Sequence, residues 1–156
     1  MRLGKMVLVG LALLAIASVM RTLGRQPDAV PDPAHGLNAR GTVPAPVMST
    51  LRRACFDCHS NETHWPWYSK LPIASWLIER DVTSARGQLN FSHWTDYTSF
   101  ERADVLDKVC ELASAGKMPP PRYLLLHHTA RPSQTDIDQL CEWSQVEATR
   151  LVQGGS

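Results

Sequence analysis

The chain has 156 residues, 16 of them lysine or arginine and 15 aspartate or glutamate, for a net charge of +1. This length accommodates one domain of ordinary size and excludes two. Four of the basic residues precede residue 26 and all 15 acids follow it, so the remainder has 12 basic and 15 acidic residues and a net charge of −3. No basic face indicates a nucleic-acid partner.

Residues 1–25 have the pattern of a targeting segment. Arg2 and Lys5 precede an apolar run over residues 6–20, and two further arginines follow it. The run suits the core of a signal peptide better than a full membrane span of about 20 residues, and residues 15–17 resemble a cleavage site. An uncleaved anchor extending to Leu23 is the alternative, with a snorkelling arginine at its end. Either reading predicts export.

Three further regions follow the leader. Residues 26–46 are rich in proline and glycine and lack apolar periodicity, which predicts an extended, solvated linker. Residues 47–152 are predicted to form the folded domain. Residues 153–156 are predicted to be a disordered tail.

Two helices are predicted in the first half of the domain. Val47, Leu51 and Cys55 recur at intervals of four residues, which is typical of one helical face. This helix should end at the cysteines, with His59 just beyond it. Pro72 is suited to open a second helix that runs to about Arg86.

The second half of the domain predicts two more helices. Residues 98–101 have the form of a capping box before the third helix, and Gly116 is its expected stop. Residues 133–136 are expected to cap a fourth helix that frays after Leu151. Because no alternating strand pattern occurs, the sequence predicts an all-α domain of about four helices.

The run Cys55-Phe56-Asp57-Cys58-His59 is the attachment signature of c-type haem, in which two thiols reach the vinyl groups and the imidazole meets the iron. A zinc site usually needs a second ligand pair at matching spacing, which isolated Cys110 and Cys141 do not supply. A thioredoxin-like dithiol follows a strand, whereas a helix is predicted here. We therefore predict one covalent haem c held by Cys55 and Cys58, with His59 on the iron.

Met118 is the candidate for the other axial ligand. Its thioether is soft enough for haem iron, and His/Met ligation raises the reduction potential, which suits an electron carrier. A helix-ending glycine precedes it and three prolines follow, so its backbone should be held extended. The alternatives are that Met118 fills a gap in the core, or that His64, His127 or His128 is the ligand.

Two features would complete the surroundings of the haem. Trp65, Trp67 and Trp76 are costly to expose and are expected to cover a large flat group. Arg86 ends the tryptophan-rich helix and is a candidate partner for a haem propionate. The alternative is that Arg86 is solvated and complements the helix dipole.

Cys110 and Cys141 lie on the predicted inward faces of the third and fourth helices. In an exported protein, two such thiols favour a disulfide between the helices. Two small buried hydrophobic side chains are the alternative. Sequence leaves the choice open, because a disulfide needs Cα atoms within about 7 Å.

Eight segments together are more specific than the haem pentapeptide alone: residues 55–68 (CFDCHSNETHWPWY), 75–77, Arg86, 89–92, Trp94, 116–120, Tyr123 and His127. Through them, residues 47–150 resemble the small haem-binding-domain family of exported bacterial proteins. The chain departs from that pattern at Ala85, where glycine is expected, and at His128, where proline is expected.

The resemblance implies a monohaem cytochrome c-like domain with thioether bonds at Cys55 and Cys58, His59 as proximal ligand and Met118 as the distal one. It also implies an N-terminal membrane helix. We therefore expect a non-enzymatic electron carrier in the periplasm, with a single-pass anchor in the bacterial inner membrane, exchanging electrons with membrane or periplasmic redox proteins. A cleaved leader would make it soluble in the periplasm. The alternative functions are a haem-based ligand or redox sensor and a small peroxidase.

Overall fold

The computed structural model describes residues 2–21, 30, 33–39 and 43–154, and every regular element within them is helical. The predicted all-α class is confirmed. The α-helices are α1 (Arg2–Arg21), α2 (Ala45–Ala54), α3 (Phe56–His59), α4 (Pro72–Gln88), α5 (Ser99–Ser114), α6 (Pro121–Leu124) and α7 (Gln134–Gly154). Short 3₁₀ turns occupy Trp67–Lys70, Phe91–Asp96 and His128–Ala130.

The chain divides into two compact units. The first comprises residues 1–28 and 64–84, and the second comprises residues 29–63 and 85–156. The haem motif and Met118 both belong to the second unit. The four long helices predicted for the domain correspond to α2, α4, α5 and α7, and the short helices α3 and α6 were not predicted.

The first unit contains α1, the 3₁₀ turn at Trp67–Lys70 and most of α4. In the part of the chain that the structure describes, no helix is both long and apolar enough to cross a bilayer. The anchor predicted over residues 1–25 is therefore not seen as a membrane span. Residues 1 and 22–25 of that segment lie outside the described residues.

The second unit has its own hydrophobic core, built where α2, α5 and α7 meet. Val47 and Leu51 of α2 are both buried, so the face predicted from their spacing is the one that packs inward. Leu106 of α5 is fully buried, and Leu140 and Trp143 of α7 join the same cluster. Two long helices thus form a support against which the helix leading to the haem motif packs.

The predicted linker over residues 26–46 is partly wrong. Leu37 and Val43 are buried in the core, the Leu37 N–H donates to the Phe91 carbonyl at 2.8 Å, and α2 already begins at Ala45. The high proline and glycine content of this segment indicated a linker, although Leu37 and Val43 within it belong to the hydrophobic core. Residues 26–29, 31–32 and 40–42 of the linker and 155–156 of the tail lie outside the described residues, whereas residues 153 and 154 end α7.

Both predicted helix caps are confirmed. At the start of α5, Thr98 Oγ1 accepts from the Glu101 N–H at 3.3 Å, and Glu101 Oε2 accepts from the Thr98 N–H at 2.8 Å. Before α7, Ser133 Oγ accepts from the Asp136 N–H at 3.1 Å, and Asp136 Oδ2 accepts from the Ser133 N–H at 2.8 Å. These reciprocal bonds satisfy N–H groups that a helix start otherwise leaves without partners.

A disulfide joins Cys110 of α5 to Cys141 of α7, with the Cα atoms 4.8 Å apart. It closes a sequence separation of 31 residues. We expect Cys110→Ser with Cys141→Ser to lower the free energy of unfolding by about 3–4 kcal/mol, because the unfolded chain regains the freedom of that loop. Urea unfolding of the oxidised protein measures this. The wild type in reductant should lose a similar amount, and an unchanged midpoint in the variant would show that the bond does not stabilise the fold.

Candidate functional site

The haem motif begins at a kink between two helices. Cys55 has φ −124° and ψ −37°, which ends α2 and starts α3. Its carbonyl accepts from the Cys58 N–H at 3.1 Å and from the His59 N–H at 2.9 Å. Both cysteines and the histidine therefore share a single helical turn. His59 is the last residue of α3, whereas the sequence predicted it just beyond the end of a helix.

Neither Cys55 nor Cys58 forms a disulfide. Burial, together with the neighbouring Cys58, raises the pKa of Cys55 to about 12, although Arg53 acts in the opposite direction. A thiol with so high a pKa is protonated at neutral pH, unlike the lowered thiol pKa of a reactive redox dithiol. The electrostatics thus disfavour the thioredoxin-like alternative.

The zinc alternative finds no further ligands in this structure. Cys110 and Cys141 are bonded to each other, so neither thiol is free to join the motif. Across residues 2–21, 30, 33–39 and 43–154, no group of three or more His, Cys, Asp or Glu side chains is arranged to hold a metal ion.

His59 is oriented by the backbone. Its Nδ1 lies 3.1 Å from the Leu89 carbonyl oxygen. Because a carbonyl can only accept, Nδ1 must carry the hydrogen, and the lone pair of the neutral ring is then on Nε2. Burial lowers the pKa of His59, while backbone contacts with Leu89 and Ala85 act in the opposite direction. The result is a neutral imidazole with Nε2 ready to bind a metal.

The segment that supplies this carbonyl is itself held by a polar network. The Asn90 N–H donates to Tyr97 Oη at 2.9 Å, and Asn90 Nδ2 donates to Asn61 Oδ1 at 2.9 Å. The Ser92 N–H donates to Asn90 Oδ1 at 3.0 Å. Asn90 and Ser92 are buried, so these bonds fix Leu89 beside His59. Sequence reasoning quoted this segment as a motif but assigned it no role. The signal available in the sequence was the pair of polar residues, Asn90 and Ser92, in a short connection between two helices.

Arg86 organises the loop that follows His59. Its Nε donates to the Ser60 carbonyl at 2.9 Å and its Nη2 donates to Thr63 Oγ1 at 3.0 Å. Thr63 Oγ1 in turn donates to the Asp57 carbonyl at 2.8 Å. Arg86 thus binds the loop back onto the haem motif. Its predicted pairing with a haem propionate stays a prediction.

Replacing Arg86 should destabilise the second unit. Arg86→Gln removes the hydrogen bond to the Ser60 carbonyl and the one to Thr63, so we expect the free energy of unfolding to fall by about 1–2 kcal/mol. Arg80→Gln on the same helix is the matched control, because the Arg80 guanidinium is exposed and only 3.4 Å from Asp81. The control should cost less than about 0.5 kcal/mol. Equal urea midpoints for the two variants would contradict this role for Arg86.

The turn before Met118 is fixed by a glycine. Gly116 has φ +63°, a left-handed conformation that costs a residue with a side chain about 1–2 kcal/mol. Its N–H donates to the Ala113 carbonyl at 3.0 Å, and the Lys117 N–H donates to the Leu112 carbonyl at 2.9 Å. This pair of bonds is a Schellman motif, the common C-terminal cap of a helix. The Met118 N–H also donates to the Leu112 carbonyl at 3.1 Å, so the backbone of Met118 is tied to the end of α5.

Three prolines follow Met118, and the last of them opens α6. Met118 is 37% exposed, so it is not part of the buried core. The sequence predicted extended backbone here. The chain instead bends at Met118, where its N–H remains bonded to α5.

α6 connects this segment to the haem motif. Tyr123 Oη donates to Asp57 Oδ2 at 2.8 Å, and Asp57 lies between the two cysteines of the motif. The Tyr123 ring stacks on the His127 ring with centroids 4.1 Å apart and planes 6° apart. His127, considered as an iron ligand from the sequence, here supports the tyrosine. The contact between Tyr123 and Asp57 spans 66 residues and was not predicted.

Trp65, Trp67 and Trp76 lie in the first unit, whereas the motif that they were predicted to cover lies in the second. Trp67 is 76% exposed with its ring edge on Tyr68, and Trp76 is 51% exposed beneath the Arg80 guanidinium. Their role as an aromatic wall stays a prediction.

The two thiols outside any disulfide and the neutral imidazole with Nε2 available form a donor set that fits haem. Together with the all-helical fold they define a haem-binding protein. The model of the haem-binding domain family matches residues 12–146. The chain therefore belongs to the haem-binding domain family, as its motifs indicated. No curated protein and no solved structure matches it.

Proposed function

We propose that this protein is an exported c-type cytochrome-like electron carrier, with haem bound covalently at Cys55 and Cys58 and the iron held between His59 and Met118. The observation that carries the proposal is the hydrogen bond from His59 Nδ1 to the Leu89 carbonyl. It fixes the ring and directs the metal-binding lone pair to Nε2, in a residue that directly follows Cys58 and shares a helical turn with two cysteines that form no disulfide.

Bound haem would supply an iron that takes up and releases a single electron. The protein's contribution is to hold the two axial ligands and to exclude water. Phe91 is buried, stacks on Phe56 with ring centroids 5.3 Å apart and lies edge-on to His59 at 6.5 Å. This apolar contact covers one side of the imidazole. A thioether from Met118 on the other side would raise the reduction potential, which favours a carrier.

Export is supported by the basic, apolar and again basic pattern of residues 1–25. The proposed location is the periplasm, with the leader retained as an inner-membrane anchor or removed. The proposed partners are membrane or periplasmic redox proteins. A retained anchor would raise the effective concentration of the domain near membrane partners.

One pair of optical spectra, oxidised and reduced, tests the carrier function. The carrier predicts a weak near-infrared absorption from methionine sulfur on the ferric iron and slow binding of carbon monoxide by the ferrous protein. Rapid carbon monoxide binding with no such absorption would favour the sensor. Turnover of peroxide by the purified protein would favour the peroxidase.

A further inference from the structure

Among the described residues, backbone hydrogen bonds join the segment that carries Met118 to the rest of the fold at its start. At its start, the cap of α5 fixes Gly116, Lys117 and Met118. At its far end is α6, a helix of four residues, and so short a helix is not stable on its own. Something other than local helix formation must therefore hold α6 in place.

Packing alone gives α6 modest support. Leu124 is buried, but the next two side chains, Leu125 and Leu126, are each 69% exposed. A further attachment is the hydrogen bond from Tyr123 Oη to Asp57 Oδ2. A bond to a carboxylate is stronger than one between neutral groups.

Both partners of this bond are oriented. The Tyr123 ring is held by its parallel stack on His127, and the His127 N–H donates to the Tyr123 carbonyl at 3.1 Å. Asp57 lies in α3, and its carbonyl accepts from Thr63, which Arg86 binds. The hydrogen bond thus joins Asp57, which lies between the two cysteines, to Tyr123 in the helix that follows Met118.

We propose that Tyr123 is a positioning residue that latches the Met118 segment onto the haem motif and keeps the sixth position of the iron closed. The inference rests on the proposed ligation by Met118. Loss of the hydroxyl leaves the aromatic stack in place but releases α6 from Asp57. The segment then spends more time away from the motif, and an external ligand gains access to the iron.

The test compares Tyr123→Phe with Tyr68→Phe, the same substitution at a tyrosine in the first unit. Carbon monoxide association with the ferrous holoprotein should be about tenfold faster in Tyr123→Phe, since a bond to a charged group is lost. It should be unchanged in Tyr68→Phe. Asp57→Ala should match Tyr123→Phe, and the double variant should be no faster than either single variant, because both remove the same bond.

Amide hydrogen exchange of the holoprotein gives a second readout that does not depend on the iron. In Tyr123→Phe the amides of residues 122–127 should exchange faster, while those of α5 and α7 keep their wild-type rates. An unchanged carbon monoxide rate in Tyr123→Phe, together with a fast rate in Met118→Ala, overturns the latch and leaves the ligation standing. A Met118→Ala protein identical to the wild type overturns the ligation itself.

Discussion

Cys55→Ala with Cys58→Ala is expected to yield a protein that loses all its haem during denaturing electrophoresis. The wild type should keep a haem stain at its own molecular mass, because thioether bonds survive denaturation and axial bonds do not. The two thiols share one helical turn with His59, and neither is bonded to another cysteine. Without them, haem could be held only by its axial ligands and by burial.

The matched control is Cys110→Ser with Cys141→Ser, which also removes two thiols but leaves the motif intact. That variant should be less stable than the wild type but should keep its haem stain after denaturing electrophoresis. Each single variant at Cys55 or Cys58 should retain a weaker stain through the remaining thioether. A full-strength stain in the double Cys55 and Cys58 variant would contradict covalent attachment at this motif.

Met118→Ala is expected to lower the reduction potential by on the order of 100 mV, because a soft thioether favours ferrous iron more than water or a nitrogen ligand does. Met118 is exposed and its backbone is fixed by the cap of α5, so truncation should leave the rest of the fold intact. Spectroelectrochemical titration measures the potential, and the near-infrared sulfur absorption should disappear in the same sample.

Met48→Ala is the control for this experiment. Met48 lies in α2 and packs against the hydrophobic core of the second unit. Its truncation should lower the unfolding midpoint, since replacing a partly buried methionine with alanine removes packing against the core. It should leave the potential close to that of the wild type. If both variants keep the wild-type potential and spectrum, the sixth ligand is not Met118.

Local signals were sufficient to predict the main helices of this fold. The capping residues Thr98 and Ser133, the opening proline at Pro72 and the spacing of Val47 and Leu51 act within a few residues of the structure they specify. Such short-range effects can be read without knowledge of the tertiary fold. The haem pentapeptide belongs to the same class, because its chemistry is contained in five adjacent residues.

What the sequence could not show depends on contacts between distant residues. The bond between Tyr123 and Asp57 exists only once α6 lies against α3, and the carbonyl of Leu89 has no side-chain signature at all. Leu37 and Val43 were hidden in a segment whose proline and glycine content is typical of linkers. These contacts and the burial of these side chains exist only in the assembled fold, so no local sequence pattern indicates them.

Peptide mapping by mass spectrometry tests the central claim most directly. The protein should be expressed with its leader in a bacterial host that matures c-type cytochromes and digested with trypsin, which releases residues 54–70 as one peptide. The account predicts that this peptide carries one haem and that neither cysteine reacts with an alkylating reagent. A peptide without haem, in which Cys55 and Cys58 are both alkylated, would contradict it.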